Sequence, residues 1–251
     1  MAKFEELIAR RAKHEPVAYL IKNKEFYGRN FYVDKRVHIP KPATEDLIDA
    51  VLRVIARSDA AIPYSEPFTI ADIGTGSGCI AITLALELQT AKIIATDISS
   101  DALDVARHNA DILGASDRIT FLKGNLLPPL TEKSDIIIAN LPYGWHVSPH
   151  LLRGRLRGGS SEEIWTTDKE VFFQPRASYD GGHQGLELIR QLIFDLAHHL
   201  KDQGQCFIEF DPRQTEKITQ LAKDNNFDIS IKKDTSGFDR IAILTKIQNQ
   251  S

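Results

Sequence analysis

The sequence has few sulfur-containing and tryptophan residues, with 2 Cys, 1 Met and 2 Trp in 251 residues. Cys79 and Cys206 lie far apart and in no zinc-type spacing, so neither a disulfide framework nor a structural metal is expected. No stretch approaches the ~18 uninterrupted apolar residues of a membrane-spanning helix, and the N-terminus lacks the apolar core of a signal peptide. We therefore expect a cytoplasmic protein without a membrane span.

A large excess of charge of either sign is also missing. The formal net charge is -3 and the pI is about 6.2, so the whole chain has no electrostatic drive towards nucleic acid or an anionic membrane. Nucleic acid is therefore not the favoured partner. Three closely spaced arginines leave a local basic patch open as an alternative: Arg153, Arg155 and Arg157.

From residue 68 onwards, short apolar runs alternate with longer amphipathic runs. The short runs predict strands over 68–73, 92–96, 119–122, 135–139, 206–210, 229–231 and 240–244. The longer runs predict helices over 80–88, 102–113, 185–200 and 214–225. Such alternation is typical of an α/β fold with a mostly parallel sheet and helices on both faces.

The part before residue 68 has a different pattern. It predicts a helix over 4–14, a hairpin in "EFYGRNFYV" and a second helix that begins at Ala43. Residues 58–67 have the composition of a connector, and residues 145–178 that of a long irregular loop. We divide the chain into a short N-terminal unit, residues 1–42, and a main domain, residues 43–251.

The turn "DIGTGSG" follows the first strand predicted for the main domain. Its glycines, Gly74, Gly76 and Gly78, have the spacing G-x-G-x-G, and not the G-x-G-x-x-G of NAD-dependent dehydrogenases. Asp97 ends the next strand, where a carboxylate can accept both hydroxyls of a ribose. A nucleoside with a non-phosphate group fits this pattern and suggests S-adenosylmethionine. The alternative is that the glycines only form a tight turn between strand and helix.

The segment "IIIANLPYG" puts a polar residue directly after a run predicted to be a buried strand. An amide nitrogen is a poor nucleophile, and Asn140 together with the Leu141 carbonyl can accept both of its N–H groups. Pro142 fixes the turn, and Tyr143 offers a face on which a planar amide or base can stack. The alternative is an ordinary proline turn that closes the strand.

Five segments together resemble the HemK/PrmC family of protein-glutamine amide-nitrogen methyltransferases: "EPVAYLIKNKEFYGRNFYV", "VHIPKPATEDLID", "DIGTGSG", "NLPYG" and "QPRASYDGGHQGLELI". The match runs from about Glu15 to the last strand. The resemblance implies a class I methyltransferase fold with a seven-stranded sheet and S-adenosylmethionine as methyl donor, with S-adenosylhomocysteine as product. It also implies that the acceptor is a glutamine of a peptide chain release factor or another translation protein.

The resemblance further implies two sets of site residues. The cofactor-binding set is Asp72, Gly74, Thr75, Gly76, Gly78, Asp97, Ile98, Asn125, Leu126 and Asn140. The catalytic set is Asn140, Leu141, Pro142 and Tyr143.

The sequence departs from the family at several positions. Leu141 replaces the usual proline of the catalytic turn, and Asn125 replaces an acidic residue after the third strand of the main domain. Lys41 and Ala43 stand where arginine and glutamate are usual, and Gln174 stands in place of glutamate. A single helix precedes the hairpin, so we expect most of the family's N-terminal helical domain to be absent.

Three other functions compete with this interpretation. Asn-Leu-Pro-Tyr also occurs in adenine methyltransferases, so the acceptor can be adenine in RNA or DNA. The acceptor glutamine can also belong to a ribosomal protein. Charged residues that are usual in the family are missing here, so the chain can also be a partner protein that binds the cofactor and has little catalytic activity.

Overall fold

The computed structural model describes residues 2–56, 68–145 and 168–247. The predicted connector over 58–67 lies outside the described residues. So do residues 146–167, which include the three arginines and most of the predicted irregular loop.

The described residues contain nine strands in two sheets. The smaller sheet is an antiparallel hairpin of β1 (Lys24–Phe26) and β2 (Arg29–Phe31). The larger sheet contains β3 (Thr69–Ile73), β4 (Lys92–Asp97), β5 (Ile119–Lys123), β6 (Ser134–Ala139), β7 (Leu200–Glu209), β8 (Phe227–Lys233) and β9 (Asp239–Lys246).

Seven helices belong to the same residues: α1 (Ala2–Ala12), α2 (Val17–Ile21), α3 (Ala43–Ala56), α4 (Cys79–Glu87), α5 (Ser100–Leu113), α6 (Glu187–His199) and α7 (Thr215–Asp224). Short 3-10 turns join several of them. Of the helices in the described ranges, none is long and apolar enough to cross a membrane.

The strand order of the larger sheet is β5-β4-β3-β6-β7-β9-β8. The pairs from β5 to β7 are parallel, whereas β9 runs antiparallel to β7 and to β8. The chain builds outwards from β3 to β5 and then crosses to β6 on the other side of β3. Ligands of open α/β sheets bind at such a reversal of strand order, outside the carboxyl ends of the strands.

Helices cover both faces of the larger sheet. Successive side chains of a strand point to opposite faces, so each strand contributes to the core on both sides. In β6, Ile136 and Ile138 lie in the same buried cluster as residues of α3 and α4. Ile137, between them, lies in the opposite cluster with residues of α6 and α7. The predicted class I α/β fold is confirmed.

The N-terminal hairpin shares the core of the main domain. Phe26 and Phe31 are fully buried and lie in the cluster that contains Ile70 of β3. Their rings meet edge to face, with 6.0 Å between the centroids. The division between residues 42 and 43 stays a prediction.

Candidate functional site

The glycine turn lies at the carboxyl end of β3, beside the end of β6. Gly74, Gly76 and Gly78 all have positive φ, at 75°, 56° and 82°. A Cβ on Gly78 would lie 2.9 Å from Ile82 and 3.1 Å from Ala106. Gly78 is therefore required where α4 begins and packs against α5, a structural reason that is independent of any ligand.

Asp72 supports this turn from below. Its Oδ2 accepts hydrogen bonds from the Thr75 hydroxyl at 2.6 Å and the Ala81 backbone N–H at 3.2 Å, and its Oδ1 is buried without a partner among the described residues. Burial raises the pKa of Asp72 to about 7, against the lowering effect of these two hydrogen bonds. The carboxyl group thus stabilises the turn through Oδ2, and its Oδ1 remains a buried acceptor without a hydrogen bond from the described residues.

Asp97 ends β4 and faces the same turn. Its Oδ2 accepts the Gly76 backbone N–H and its Oδ1 accepts the Ser99 backbone N–H, both at 2.9 Å. Burial raises the pKa of Asp97, and the backbone hydrogen bonds oppose that effect. Each oxygen keeps a second lone pair. Ile98, directly after it, is 60% exposed and extends an apolar surface beside these acceptors.

The segment after β5 completes this edge of the sheet. The Gly124 backbone N–H donates to the Asp97 carbonyl at 3.0 Å. Asn125 is exposed, whereas Leu126 is buried and has a φ of 51°. The Asn125 amide can therefore meet a ligand at the same edge as the Asp97 carboxylate.

The Asn140 turn follows β6, whose last residue, Ala139, pairs with Ile73 of β3. The two motifs therefore leave neighbouring strands at the same edge. The Leu141 side chain is 3% exposed, and its Cδ2 would be 3.1 Å from a Cβ on Gly74. Leu141 thus packs under the glycine turn as well as supplying a backbone carbonyl.

The Asn140 side chain is held by a residue remote in sequence. Its Nδ2 donates to the Thr44 hydroxyl oxygen at 2.9 Å. Glu209 lies close to the same turn: its Oε1 accepts from the Tyr143 hydroxyl at 3.1 Å, and its Oε2 is buried without a hydrogen-bond partner among the described residues. Neither the Asn140 Oδ1 nor the Leu141 carbonyl receives a hydrogen bond from the described residues, so both remain available as acceptors.

Glu209 is 1% exposed at the carboxyl end of β7. Burial raises its pKa, and the nearby Thr44, the hydrogen bond from Tyr143 and the charge of Arg240 only partly oppose that rise. Burial likewise raises the pKa of Tyr143 well above its usual value, and the neighbouring Glu209 charge adds to this. The Tyr143 hydroxyl is therefore a neutral donor directed into the protein.

A glycine-rich segment buttresses the Asn140 turn from the other side. The Gly181 N–H donates to the Gly144 carbonyl at 2.6 Å, and Gln214 Nε2 donates to the Tyr143 carbonyl at 3.2 Å. A Cβ on Gly185 would overlap the Tyr143 carbonyl oxygen. The backbone of the turn is thus fixed by close main-chain packing.

A separate cavity of about 530 Å³ lies beside α2. It is lined mainly by the N-terminal segment, with Ile39, Pro40 and Pro42, and by Gln174, whose Oε1 accepts the Ile39 N–H at 3.0 Å. None of the predicted site residues lines it. The cavity is therefore distinct from the edge that carries the glycine and Asn140 turns.

The chain is similar in sequence to two release factor glutamine methyltransferases. The release factor glutamine methyltransferase of Rhodopirellula baltica is 36% identical over 249 residues, which cover 97% of this chain and 78% of that protein. That of Koribacter versatilis is 32% identical over 248 residues, which cover 98% and 80%. The chain belongs to the release factor glutamine methyltransferase family.

Other relatives extend beyond this chain or share only its fold. A bifunctional methyltransferase of Rickettsia conorii is 33% identical over 263 residues, and the chain spans about half of its length, 48%. The family model of ribosomal protein L11 methyltransferase (PrmA) matches residues 55–142.

Two solved structures confirm the methyltransferase fold of this family member. The ribosomal protein L11 methylase of Lactobacillus delbrueckii subsp. bulgaricus is 26% identical with a TM-score of 0.57, and the alignment covers 86% of this chain and 84% of that one. A methyltransferase from Pyrococcus furiosus has a TM-score of 0.60 at 14% identity, covering 98% of this chain and 100% of that one.

The fold brings the predicted site residues of this family member to one edge of the sheet. The cofactor set lies in or directly after the ends of β3, β4 and β5, apart from Asn140, which follows β6 together with the rest of the catalytic set. The Asp72 carboxyl group does not face a ligand directly, because it points into the turn and accepts from Thr75 and Ala81. The roles of both sets stay predictions.

Sequence reasoning missed Thr44, Glu209 and Gln214, each of which contacts the Asn140 turn. Thr44 lies 96 positions from Asn140, so no local spacing connects them. One signal was present: Glu209 is an acidic residue inside the apolar run "CFIEF". A charge in such a run is buried when the strand is central, and a buried charge needs partners.

Proposed function

We propose that this chain transfers a methyl group from S-adenosylmethionine to the side-chain amide nitrogen of a glutamine, and that the acceptor is a peptide chain release factor. One observation carries the proposal. Asn140 Nδ2 donates a hydrogen bond to Thr44, whereas Asn140 Oδ1 receives no hydrogen bond from the described residues. A glutamine amide needs such an acceptor, because its two N–H groups have to be held by oxygen atoms.

The acceptor arrangement suits the chemistry of an amide. The nitrogen lone pair is delocalised into the carbonyl group, so the amide reacts only when that lone pair is directed at the electrophile. The Asn140 Oδ1 and the Leu141 carbonyl would accept the two N–H groups and orient the nitrogen. This catalysis works largely by positioning, and the proton can leave after the transfer.

The residues at the neighbouring strand ends fit the proposed cofactor. Asp97 offers a spare lone pair on each oxygen for ribose hydroxyls, Ile98 offers an exposed apolar surface, and Asn125 an exposed amide. The buried Oδ1 of Asp72, which has no hydrogen-bond partner among the described residues, leaves one further polar atom below the glycine turn. When bound, S-adenosylmethionine would supply an electrophilic methyl group on a positively charged sulfur.

The release factor as acceptor is supported by the names of four relatives that are release factor glutamine methyltransferases. The match of residues 55–142 to the ribosomal protein L11 methyltransferase model favours one second candidate, in which a ribosomal protein is the acceptor. Both acceptors would use the same turn and differ in what docks around it.

A labelled-methyl assay on separate acceptors tests the proposal. Purified chain would be incubated with S-adenosylmethionine carrying a labelled methyl group and, in turn, with a release factor, ribosomal protein L11 and adenine-containing RNA. We expect label in the release factor and none in a variant whose acceptor glutamine is alanine. Label in L11 alone favours the second candidate, and label in RNA contradicts both.

A cofactor-binding role without catalysis makes a different prediction. In that case, S-adenosylhomocysteine would bind tightly, but no acceptor would be labelled at any protein concentration. Calorimetry with S-adenosylhomocysteine, in parallel with the label assay, therefore separates an inactive binding protein from an enzyme whose acceptor was not in the panel.

A further inference from the structure

Gln214 joins the Asn140 turn to a segment far along the chain. It directly precedes α7 and is 2% exposed. Its Nε2 donates to the Tyr143 carbonyl at 3.2 Å and to the Gln184 carbonyl at 2.8 Å. Its Oε1 accepts the Asp211 backbone N–H at 3.1 Å. Both hydrogens of Nε2 and the amide oxygen are therefore engaged, so one buried side chain connects three parts of the backbone.

The orientation of the Gln214 amide is fixed by its own contacts. A backbone N–H can only donate a hydrogen bond, and a backbone carbonyl can only accept one. The atom that faces the Asp211 N–H must therefore be the oxygen, and the atom that faces the two carbonyls must be the nitrogen. Exchanging them would bring a donor to a donor and an acceptor to two acceptors.

One of the two carbonyls belongs to a residue with an unfavourable backbone conformation. Gln184 has a φ of 57° and a ψ of 15°, in the left-handed region. A residue with a Cβ keeps this conformation only when surrounding contacts hold it, and such residues cluster at functional sites. Here Gln214 donates to the Gln184 carbonyl, and Lys217 Nζ donates to the Gln184 Oε1 at 2.8 Å. Both contacts come from the start of α7.

Gly185 follows Gln184 and packs against the catalytic turn. It also has a left-handed backbone, with a φ of 68°. A Cβ on Gly185 would overlap the Tyr143 carbonyl oxygen and would lie 2.6 Å from Gln214 Nε2. The catalytic turn, the Gln184–Gly185 segment and the Gln214 amide therefore meet at the Tyr143 carbonyl.

The position of this carbonyl affects the two proposed acceptors of the glutamine amide. The Asn140 Oδ1 and the Leu141 carbonyl belong to the same turn as the Tyr143 carbonyl, which Gln214 holds. Because Pro142 has a fixed φ, the backbone between Leu141 and Tyr143 has few soft dihedral angles that could absorb a displacement. A small misplacement of an orienting group is enough to lower turnover strongly.

We propose that Gln214 is a positioning residue for methyl transfer. Through the Tyr143 carbonyl and the left-handed Gln184, it holds the catalytic turn where Asn140 and Leu141 can orient the acceptor amide. This inference deepens the proposed function and rests on it for the effect on turnover. The effect on the turn itself holds in the free protein and does not depend on which acceptor is used.

Gln214→Glu separates the accepting role of the amide from its donating role. The glutamate keeps an oxygen for the Asp211 N–H, but it carries at most one proton and cannot donate to both carbonyls. We expect kcat for glutamine methylation to fall about 10- to 100-fold. The acceptor KM and the affinity for S-adenosylhomocysteine should stay unchanged. The matched control is Gln220→Glu, the same substitution at an exposed position of α7, which should keep the wild-type kcat.

Backbone hydrogen exchange, measured by NMR, gives a readout without substrate. The Gly144 N–H donates to the Tyr179 carbonyl at 2.9 Å, and the Gly181 N–H donates to the Gly144 carbonyl at 2.6 Å. These two amides report whether the turn stays against its neighbouring segment. We expect both to exchange about tenfold faster in Gln214→Glu than in wild type, as for loss of one hydrogen bond. The Gly114 amide, at the end of α5, should exchange at the wild-type rate.

A measurement on wild type keeps the inference falsifiable if the variant does not fold. Gln214→Met replaces Gln214→Glu when circular dichroism shows that the latter is unfolded. In wild type, the two Nε2 hydrogens of Gln214 should exchange at least about tenfold more slowly than those of the exposed Gln220, because both are hydrogen-bonded inside the protein. Equal exchange of the two side chains would overturn the inference without any variant.

The readouts separate failure of this inference from failure of the proposed function. If wild type does not methylate glutamine, the proposed function fails, and the exchange rates still decide whether Gln214 holds the turn. Wild-type exchange at Gly144 and Gly181 in Gln214→Glu overturns the inference, as does a wild-type kcat. Equally accelerated exchange at Gly114 also overturns it, because the substitution would then loosen the whole domain. A lowered affinity for S-adenosylhomocysteine with unchanged kcat would assign Gln214 to the cofactor and likewise overturn it.

Discussion

Two residues have the main roles in the proposed chemistry, and substitutions at them are expected to have different effects. Asp97 ends β4 and offers carboxylate lone pairs beside the glycine turn. Asn140 follows β6 and offers one amide oxygen. We propose that the first binds the cofactor and that the second orients the acceptor, so their variants should distinguish a change in affinity from a change in turnover.

Asp97→Ala is expected to weaken binding of S-adenosylmethionine. The change removes charge-assisted hydrogen bonds worth roughly 1.5 to 3 kcal/mol, equivalent to about a 10- to 150-fold loss of affinity. It also removes the acceptor of the Gly76 N–H, so the turn itself should loosen. Calorimetry measures the affinity, with the exposed Asp101→Ala as matched control. Equal affinities in folded Asp97→Ala and wild type would remove Asp97 from the site.

Asn140→Ala is expected to lower turnover on the order of 100-fold, as for loss of one transition-state partner. Affinity for S-adenosylhomocysteine should change little, because the Asn140 oxygen faces the acceptor in our account. Single-turnover rates at saturating acceptor measure the effect. A variant that reacts at the wild-type rate would show that another group orients the nitrogen.

At the scale of elements, hydrophobic spacing predicted the sheet well, because burial in a doubly covered sheet requires continuous apolar runs. The spacing was less informative where the chain is polar. β7 begins at Leu200, whereas the predicted strand begins at Cys206, because "LKDQG" has no apolar alternation. The short helix α2 was also missed, since five residues do not establish a period.

Gly185→Ala tests whether main-chain packing holds the Asn140 turn. The residue has a φ of 68°, and a Cβ would overlap the Tyr143 carbonyl oxygen. We expect the free energy of unfolding to fall by at least about 2 kcal/mol, from the left-handed backbone and the overlap together. Turnover should fall as well, because the turn has to shift.

Gly114→Ala is the matched control for this variant. Gly114 has a similar φ of 72°, but a Cβ there would meet nothing within 4 Å. It should cost only the backbone preference, about 1 to 2 kcal/mol, and leave turnover unchanged. Equal destabilisation by the two variants, without loss of activity in Gly185→Ala, would mean that the turn does not depend on this contact.

At the scale of the whole molecule, the buried carboxyl groups of the site link stability to pH. The pKa of Asp72 is raised to about 7 in the folded protein, compared with about 3.9 in an unfolded chain. Between these two pKa values the folded state binds more protons than the unfolded state. The contribution of Asp72 is therefore largest at low pH and is lost as pH rises through about 7.

Denaturant unfolding of wild type and Asp72→Asn between about pH 4.5 and 7.5 measures this contribution. The free energy of unfolding of wild type, relative to the variant, should decrease as pH rises. The range avoids Asp34, whose pKa of about 2 gives the opposite sign at lower pH. A difference that is constant across the range would contradict a raised pKa at Asp72.

The site shows why sequence predicts some functional residues and misses others. Gly74, Asp97 and Asn140 each stand at the end of an apolar run, so their shared edge follows from the parallel sheet alone. Thr44 and Gln214 reach the same turn from helical segments far along the chain. Their contacts depend on how helices pack on the sheet, which the spacing of apolar residues does not determine.

The central claim is that the Asn140 turn methylates the amide nitrogen of a glutamine in a release factor. Tandem mass spectrometry of the release factor, after incubation with the purified chain and S-adenosylmethionine, tests it most directly. Our account predicts one added methyl group on the side chain of a single glutamine, and its absence when the chain carries Asn140→Ala. A methyl group on another residue type, or one that persists with Asn140→Ala at the wild-type rate, would contradict the account.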